Sequence, residues 1–247
     1  MDENDKKQHY VSRETTKRLI YDVREIMNCP LTEHGIYYSH DEENMMKGYA
    51  MIVGQEGTPY FGGYYFFKIY FPSNYPYSPP LFMFCTNNEN IRFNPNLYID
   101  GKVCLSILNT WQGEQWSSCQ TISSVLLSLC TIFHDIPLLN EPGVNKFHPD
   151  IPRYNDILEY KNIEIAILKI VKKNPCIYDN DFDVFYPIII EQFTLNFSRI
   201  QSQLLGKVSK IKGRHCLEMQ FYGMRIYVNY EYLLNELNSF QKIISSK

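Results

Sequence analysis

Apolar residues recur along this chain with different rhythms, and each rhythm predicts a different kind of element. Leu19, Val23, Ile26 and Met27 fall at helical spacing, with Lys17, Arg18, Asp22, Arg24 and Glu25 on the other face, which predicts an amphipathic first helix. Cys29-Pro30 closes it, because proline disfavours helical geometry in the residue before it. Three strand-like runs follow: Gly48-Tyr-Ala-Met-Ile-Val53, Tyr64-Tyr-Phe-Phe-Lys-Ile-Tyr-Phe71 and Leu81-Phe-Met-Phe-Cys85. Turn formers at 54–59 and Gly62-Gly63 separate the first two, which predicts an antiparallel hairpin. Between the second and third runs, Pro72-Ser-Asn-Tyr-Pro-Tyr-Ser-Pro-Pro80 holds four prolines in nine residues, so it is expected to form a rigid surface loop.

Residues 86–120 show no sustained period, and a loop of that length inside a compact domain is usually functional. Thr121 then stands as the N-cap of a strong helix, with Ile122, Val125, Leu126, Leu129, Ile132 and Phe133 in one apolar stripe. Residues 138–143 break that pattern. The last third is expected to be mainly helical, over 157–171, 182–205 with a break at Pro187, and 230–244, with 207–214 as a basic linker. A helix, a strand meander and then helices predict an α+β domain with an antiparallel sheet.

Composition narrows the function classes. The chain has 247 residues, 45% of them hydrophobic and 21% charged, which supports a sizeable core and excludes a wholly disordered protein. A net charge of -3 argues against broad attraction to nucleic acid or an anionic membrane, and the basic 207–214 stretch is expected to be solvated. The polar, acidic start predicts no signal peptide, and the apolar cluster at 186–190 is too short to span a bilayer. Seven cysteines are an odd number, and no CxxC pair occurs. This argues against a disulfide framework and structural zinc, and predicts a reducing compartment with at least one free thiol.

Cys104 has the most unusual surroundings of the seven. It ends the long loop after Gly101-Lys-Val103, and Asn96 lies eight residues earlier. A thiolate is both a strong nucleophile and a good leaving group, which suits acyl transfer through a thioester. An asparagine N–H aimed at the thioester carbonyl would stabilise the oxyanion; a satisfied turn asparagine or a buried structural thiol would give the same spacing. A Cys-His hydrolase using His134 or His148 has no supporting flanking sequence.

Tyr75-Pro-Tyr-Ser-Pro-Pro80, Arg92-Phe-Asn-Pro-Asn96, Gly101-Lys-Val-Cys-Leu105 and Trp116-Ser117 before the long helix together resemble the ubiquitin-conjugating enzyme family. Its pattern is a Tyr-Pro-x-x-Pro-Pro loop, then His-Pro-Asn, then the active cysteine eight residues after that Asn. The likeness covers 14–172. It is nearest to the larger Z-type members, through Gly-Lys-Val-Cys-Leu-Ser-Ile-Leu-x-Thr-Trp, Asn140-Glu-Pro-Gly143 and a C-terminal extension. An insertion, 109–115, separates the cysteine from Trp116; Trp111 within it is expected to pack rather than act as a lid.

The resemblance implies a ubiquitin-conjugating (UBC) fold of α+β class: an antiparallel meander sheet flanked by helices. A polar lead at 1–13 would precede a catalytic core at 14–172 and a mainly helical extension at 173–247. It implies that Cys104 accepts ubiquitin or a ubiquitin-like modifier from an activating enzyme and passes it to a lysine of a protein substrate, directly or through a RING- or HECT-type ligase. Asn96 would be the oxyanion or loop-organising residue, and Asn140, with Glu141 as its neighbouring alternative, would orient the attacking amine. Asn94 stands where the family has His, a loop-bracing position. Lys17, Arg18 and Arg24 would face the activating enzyme, while Tyr77, Ser118 and Cys119 would face ligases. No bound cofactor is implied, since ATP is used upstream by the activating enzyme; neither nucleic acid nor membrane is an expected partner. The expected location is the cytoplasm, extending to the nucleus. The alternative is a catalytically inactive UBC-fold scaffold that binds ubiquitin, which the intact Cys104 motif argues against.

Overall fold

The computed structural model describes residues 11–87 and 91–246, so most of the expected polar lead lies outside the described residues. Helix α1 (Arg13–Asn28) starts where the Ser12 side chain accepts a hydrogen bond from the Thr15 backbone N–H at 3.0 Å. Leu19 and Ile26 are buried, but Met27 is 60% exposed, so the buried stripe is narrower than the spacing predicts.

Four strands form the main sheet in chain order, all neighbours antiparallel: β1 (Ile36–His40), β2 (Lys47–Val53), β3 (Tyr64–Tyr70) and β4 (Leu81–Phe84). The meander matches the expected fold, with one strand more than the sequence runs show. β1 is an edge strand in which only Ile36 is buried and the next four residues are half-buried, so it carries no apolar alternation.

β3 has no polar face because both of its faces are covered. Tyr65 and Phe67 point to one side, where their rings lie 4.8 and 6.5 Å from that of Phe133. Tyr64 and Phe66 point to the other, as alternation along a strand requires. There the Tyr64 hydroxyl donates to the Ile189 carbonyl, and Phe66 stacks on Phe182 at 4.3 Å and 7°. Lys47 and Lys68 reach across the same face to Asp181 at 3.0 and 2.9 Å, and Lys68 also meets Asp179 at 2.5 Å. A strap from the C-terminal third thus covers the outer sheet face.

Helix α2 (Ile122–Thr131) opens at Thr121, as the sequence predicts, and Ser124 makes the cap reciprocal. Helix α3 (Ile151–Lys161) begins earlier than expected and continues as a π-helical stretch, Asn162–Lys169. Buried Asn162 there accepts from the Tyr65 hydroxyl at 2.7 Å and donates to the Phe61 carbonyl at 2.9 Å.

Helix α4 (Tyr186–Val208) is unbroken at Pro187, which falls in the first turn, where its missing N–H has no intrahelical partner to lose. Helix α5 (Tyr230–Ser245) matches the last expected helix. The C-terminal part is helical as expected, with an added hairpin of β5 (His215–Met219) and β6 (Met224–Val228), turning at Gly223 with φ 61°. The 207–214 stretch begins inside α4, and Lys207 pairs with Asp156 and Glu159 at 2.9 and 2.7 Å. Among the described residues, no helix is long and apolar enough to cross a membrane.

Candidate functional site

The loop carrying Cys104 is held by two asparagines with different tasks. Asn94 is fully buried, and its amide is bonded at both ends. Its Nδ2 donates to the Tyr60 hydroxyl at 3.0 Å and the Ile132 carbonyl at 2.7 Å, while its Oδ1 accepts from the Asn96 backbone N–H at 3.0 Å. An unsatisfied buried amide is costly, so this bonding fixes the chain path from Phe93 to Asn96 against the C-terminal end of α2. Asn94 therefore braces the loop in place of the family's histidine.

Asn96 ties the loop to the cysteine itself. The Cys104 N–H donates to the Asn96 carbonyl at 2.8 Å, and Asn96 Nδ2 donates to the Cys104 carbonyl at 2.7 Å. Asn96 Oδ1 is buried with no partner among the described residues. Flipping the amide would set its oxygen against the Cys104 carbonyl, so the donor stays on that carbonyl. One Asn96 Nδ2 hydrogen ties the loop to the Cys104 carbonyl, and the second N–H on the same nitrogen is the one an oxyanion role would use.

Cys104 is 2% exposed, at the end of this brace. Burial pushes its thiol pKa up; Lys102, Arg92 and a hydrogen bond from Tyr98 oppose that, and Asp100 adds to it. The thiolate is therefore a minor species at neutral pH. Iodoacetamide at pH 7, followed by peptide mass spectrometry, should modify exposed Cys29, Cys119 and Cys176 before Cys104. The Cys104 rate should still be rising with pH above the ordinary thiol midpoint of about 8.5; a plateau below that pH contradicts the burial argument.

After the cysteine, Thr110 pins the insertion back onto the loop: its hydroxyl accepts from the Leu105 N–H at 2.9 Å and lies 2.9 Å from the Val103 carbonyl. Asn109, in left-handed geometry, accepts from the Trp116 N–H at 2.8 Å. Trp111 is half-buried, and Gln115 closes the loop with bonds to the Trp111 and Gly113 carbonyls.

The sequence model of the family described as "Ubiquitin-conjugating enzyme" matches residues 18–155, more than half of the chain and the whole of this loop system. The chain belongs to the ubiquitin-conjugating enzyme family. Among its relatives, "Ubiquitin-conjugating enzyme E2 Z" of Homo sapiens is 42% identical over 146 residues, covering 58% of this chain and 41% of that protein. The protein of the same name in Xenopus tropicalis is 37% identical over 164 residues, covering 65% of this chain and 52% of its own length. "Dual E2 ubiquitin-conjugating enzyme/E3 ubiquitin-protein ligase BIRC6" of Homo sapiens is 46% identical over 118 residues, covering 45% of this chain but 2% of that protein. The chain thus spans about half or less of the curated relatives it matches.

As a ubiquitin-conjugating family member, the chain places its remaining candidate residues unevenly. Asn140 lies in the brace: its Nδ2 donates to Asn94 Oδ1 and the Ile132 carbonyl, both at 3.3 Å, and its Oδ1 meets His134 Nε2 at 3.0 Å. Both Nδ2 hydrogens are thus committed, so contact with an attacking amine would fall to the second lone pair of Oδ1. Lys17 and Arg24 are exposed on α1, whereas Arg18 is turned inward. Arg18 Nε meets both oxygens of fully buried Asp22 at 2.9 and 3.0 Å, and its two amino groups donate to the Ser118 and Gln120 carbonyls at 2.5 Å. The Tyr75 hydroxyl completes the Asp22 site.

Tyr77 is 64% exposed, with its hydroxyl on Glu14, while Ser118 and Cys119 are exposed on the neighbouring loop. Trp116 Nε1 donates to the Pro76 carbonyl at 2.7 Å and locks the two loops together, so these three residues share one surface with α1. His134 and His148 accept from the Ile136 and Asp150 N–H groups. Among the described residues, no group of three or more His, Cys, Asp or Glu is placed to hold a metal ion.

The sequence reading missed Tyr60, Arg92, Tyr98 and Thr110 as site residues. Arg92 and Tyr98 flank the Asn94-Pro-Asn96 motif closely enough to have been considered. Tyr60 lies 34 positions from Asn94, and no spacing rule connects them.

Proposed function

We propose that this chain accepts ubiquitin or a ubiquitin-like modifier as a thioester on Cys104 and transfers it to a lysine amine of a protein substrate, directly or with a RING- or HECT-type ligase. The observation that carries this reading is Cys104 at the end of a loop braced by Asn94 and Asn96, inside the matched family segment. The Cys104 thiolate attacks the carbonyl carbon of the modifier's thioester on the activating enzyme. A new C–S bond forms, and the activating enzyme's thiolate leaves. A neutral lysine amine then attacks the same carbon, the C–S bond to Cys104 breaks, and the amine proton is released as the isopeptide forms. ATP is consumed upstream, and no bound cofactor takes part in either step.

The exposed Lys17 and Arg24 suit contact with the activating enzyme, and the Tyr77, Ser118 and Cys119 surface suits a ligase. The seven cysteines are all free, which fits a reducing location such as the cytoplasm or nucleus.

Incubation with an activating enzyme, ATP and each of several modifiers tests the reading: a reductant-sensitive adduct should form with at least one. Absence of any adduct with every activating enzyme and modifier pair would favour the inactive scaffold instead. Asn96→Ala should lose on the order of 100-fold in isopeptide formation but less than about tenfold in loading, the pattern of a lost oxyanion or loop donor. Equal losses in both steps, with a lowered melting temperature, would assign Asn96 to folding alone.

A further inference from the structure

The hairpin joining β5 to β6 lies far from Cys104 in sequence, yet its turn ends against Arg92, one of the charges that act on that thiol. The Phe221 N–H donates to buried Asp150 at 3.0 Å, and the Phe221 ring lies edge-on to His148 at 5.4 Å. The next residue, Tyr222, turns inward. Its hydroxyl donates to Glu141, and its ring lies 5.8 Å from that of Tyr154. Arg92 sits between two aromatic rings, with its guanidinium carbon 3.8 Å from the Tyr98 centroid and 5.0 Å from the Tyr222 centroid. Arg92 Nη2 donates to the Pro95 carbonyl at 2.6 Å, and the Tyr154 hydroxyl donates to the Arg92 carbonyl at 2.7 Å. Arg92 Nε is buried without a partner among the described residues, so the stacking rings hold that end of the guanidinium in place of a hydrogen bond.

We infer that Tyr222 is a positioning residue of the Cys104 site: it holds Arg92 against Tyr98, and so fixes the wall of the loop on which an acyl group carried by Cys104 would lie. This gives the C-terminal extension a part in the chemistry, and it rests on Cys104 being the acyl acceptor. The charged and titratable groups that face this wall are known from each element around it. Lys102, Asp100 and Tyr98 come from the cysteine's own loop, Arg92 from the segment before it, Glu141 from the segment after α2, Tyr154 from α3 and Tyr222 from the hairpin. Arg92 is one of the positive charges that favour the thiolate. Losing the ring that holds it lets the guanidinium move out into solvent, where its attraction is screened.

The pH dependence of Cys104 alkylation in the full chain, read by peptide mass spectrometry, tests this without an activating enzyme. Tyr222→Leu, which fills the space without an aromatic face, should move the midpoint upward by about half a unit, roughly a threefold loss of thiolate at neutral pH. Tyr222→Ala should do the same, and Tyr222→Phe, which keeps the ring, should restore the original profile. Arg92→Gln should give a similar shift, and the Arg92→Gln/Tyr222→Leu pair no more than either alone, because both act through one guanidinium. An unchanged midpoint in Tyr222→Leu, or additive shifts in the pair, overturns the inference. Failure of wild-type protein to form a thioester would instead overturn the assignment of Cys104 and leave the alkylation result standing.

Discussion

Cys104→Ala should give no reductant-sensitive adduct with any modifier, while Cys119→Ala and Cys130→Ala load as the unaltered chain does. Both of the latter test whether a second thiol could serve. Cys119 is exposed and Cys130 half-buried, so reagents reach them more readily than Cys104. Among the described residues neither has a paired asparagine on its backbone, which is what distinguishes Cys104: its N–H and its carbonyl both bond to Asn96. Cys130 Sγ instead lies 3.7 Å from the His34 carbonyl, on the far end of α2 from its cap. Cys104→Ser sharpens the result. A serine oxygen in the same place would form an ester that survives reductant and is cleaved by hydroxide, and it would load far more slowly because its hydroxyl is a much weaker nucleophile than a thiolate. Adduct formation that persists in Cys104→Ala would refute the thioester assignment.

Arg18→Ala should lower stability by about 3 kcal/mol or more, the cost expected when one partner of a buried ion pair is removed and the other charge stays inside. Asp22 has no exposed surface, and without Arg18 it would keep only the Tyr75 hydroxyl among the described residues. The Ser118 and Gln120 carbonyls would lose their donors as well, which loosens the loop that carries Cys119. In a chain of this size a loss of about 3 kcal/mol corresponds to a fall of roughly 6–12 °C in Tm. Arg18→Lys should recover little, since one ammonium cannot reproduce a planar fork that reaches a carboxylate and two carbonyls. Lys17→Ala and Arg24→Ala, both on the exposed face, should leave Tm within about 2 °C, as surface substitutions do. If they slow loading, α1 recognises the activating enzyme through those two residues. A thermally unaltered Arg18→Ala would refute the structural role argued for it.

The contrast between Arg18 and its neighbours shows what a linear reading can and cannot resolve. Helical spacing places Lys17, Arg18 and Arg24 on a polar face, but Asp22, four residues after Arg18, draws one of the three inward. Helix α2 was legible to its cap because the signals are local: Thr121 and the apolar stripe lie within one short segment. The Cys104 loop was legible through a compact motif. β1 was not, because an edge strand with one buried residue writes no alternation into its sequence. The β5–β6 hairpin escaped for a related reason. Met224, Ile226 and Val228 alternate correctly, but over only five residues between two helices. Tyr222 was beyond reach altogether, since what it does depends on a fold that brings it to residues 81 and 130 positions away.

β3 gives its odd-numbered aromatics to one layer and its even-numbered ones to another. The extension is therefore no appendage that can be subtracted. A chain ending near residue 172 would turn Tyr49, Tyr64 and Phe66 toward water and leave Lys47 and Lys68 without Asp179 and Asp181. Such a face is adhesive, an apolar patch with strand backbone beside it. The strap that covers it acts as a solubility element, and a trimmed domain would report on its own self-association before it reported on catalysis.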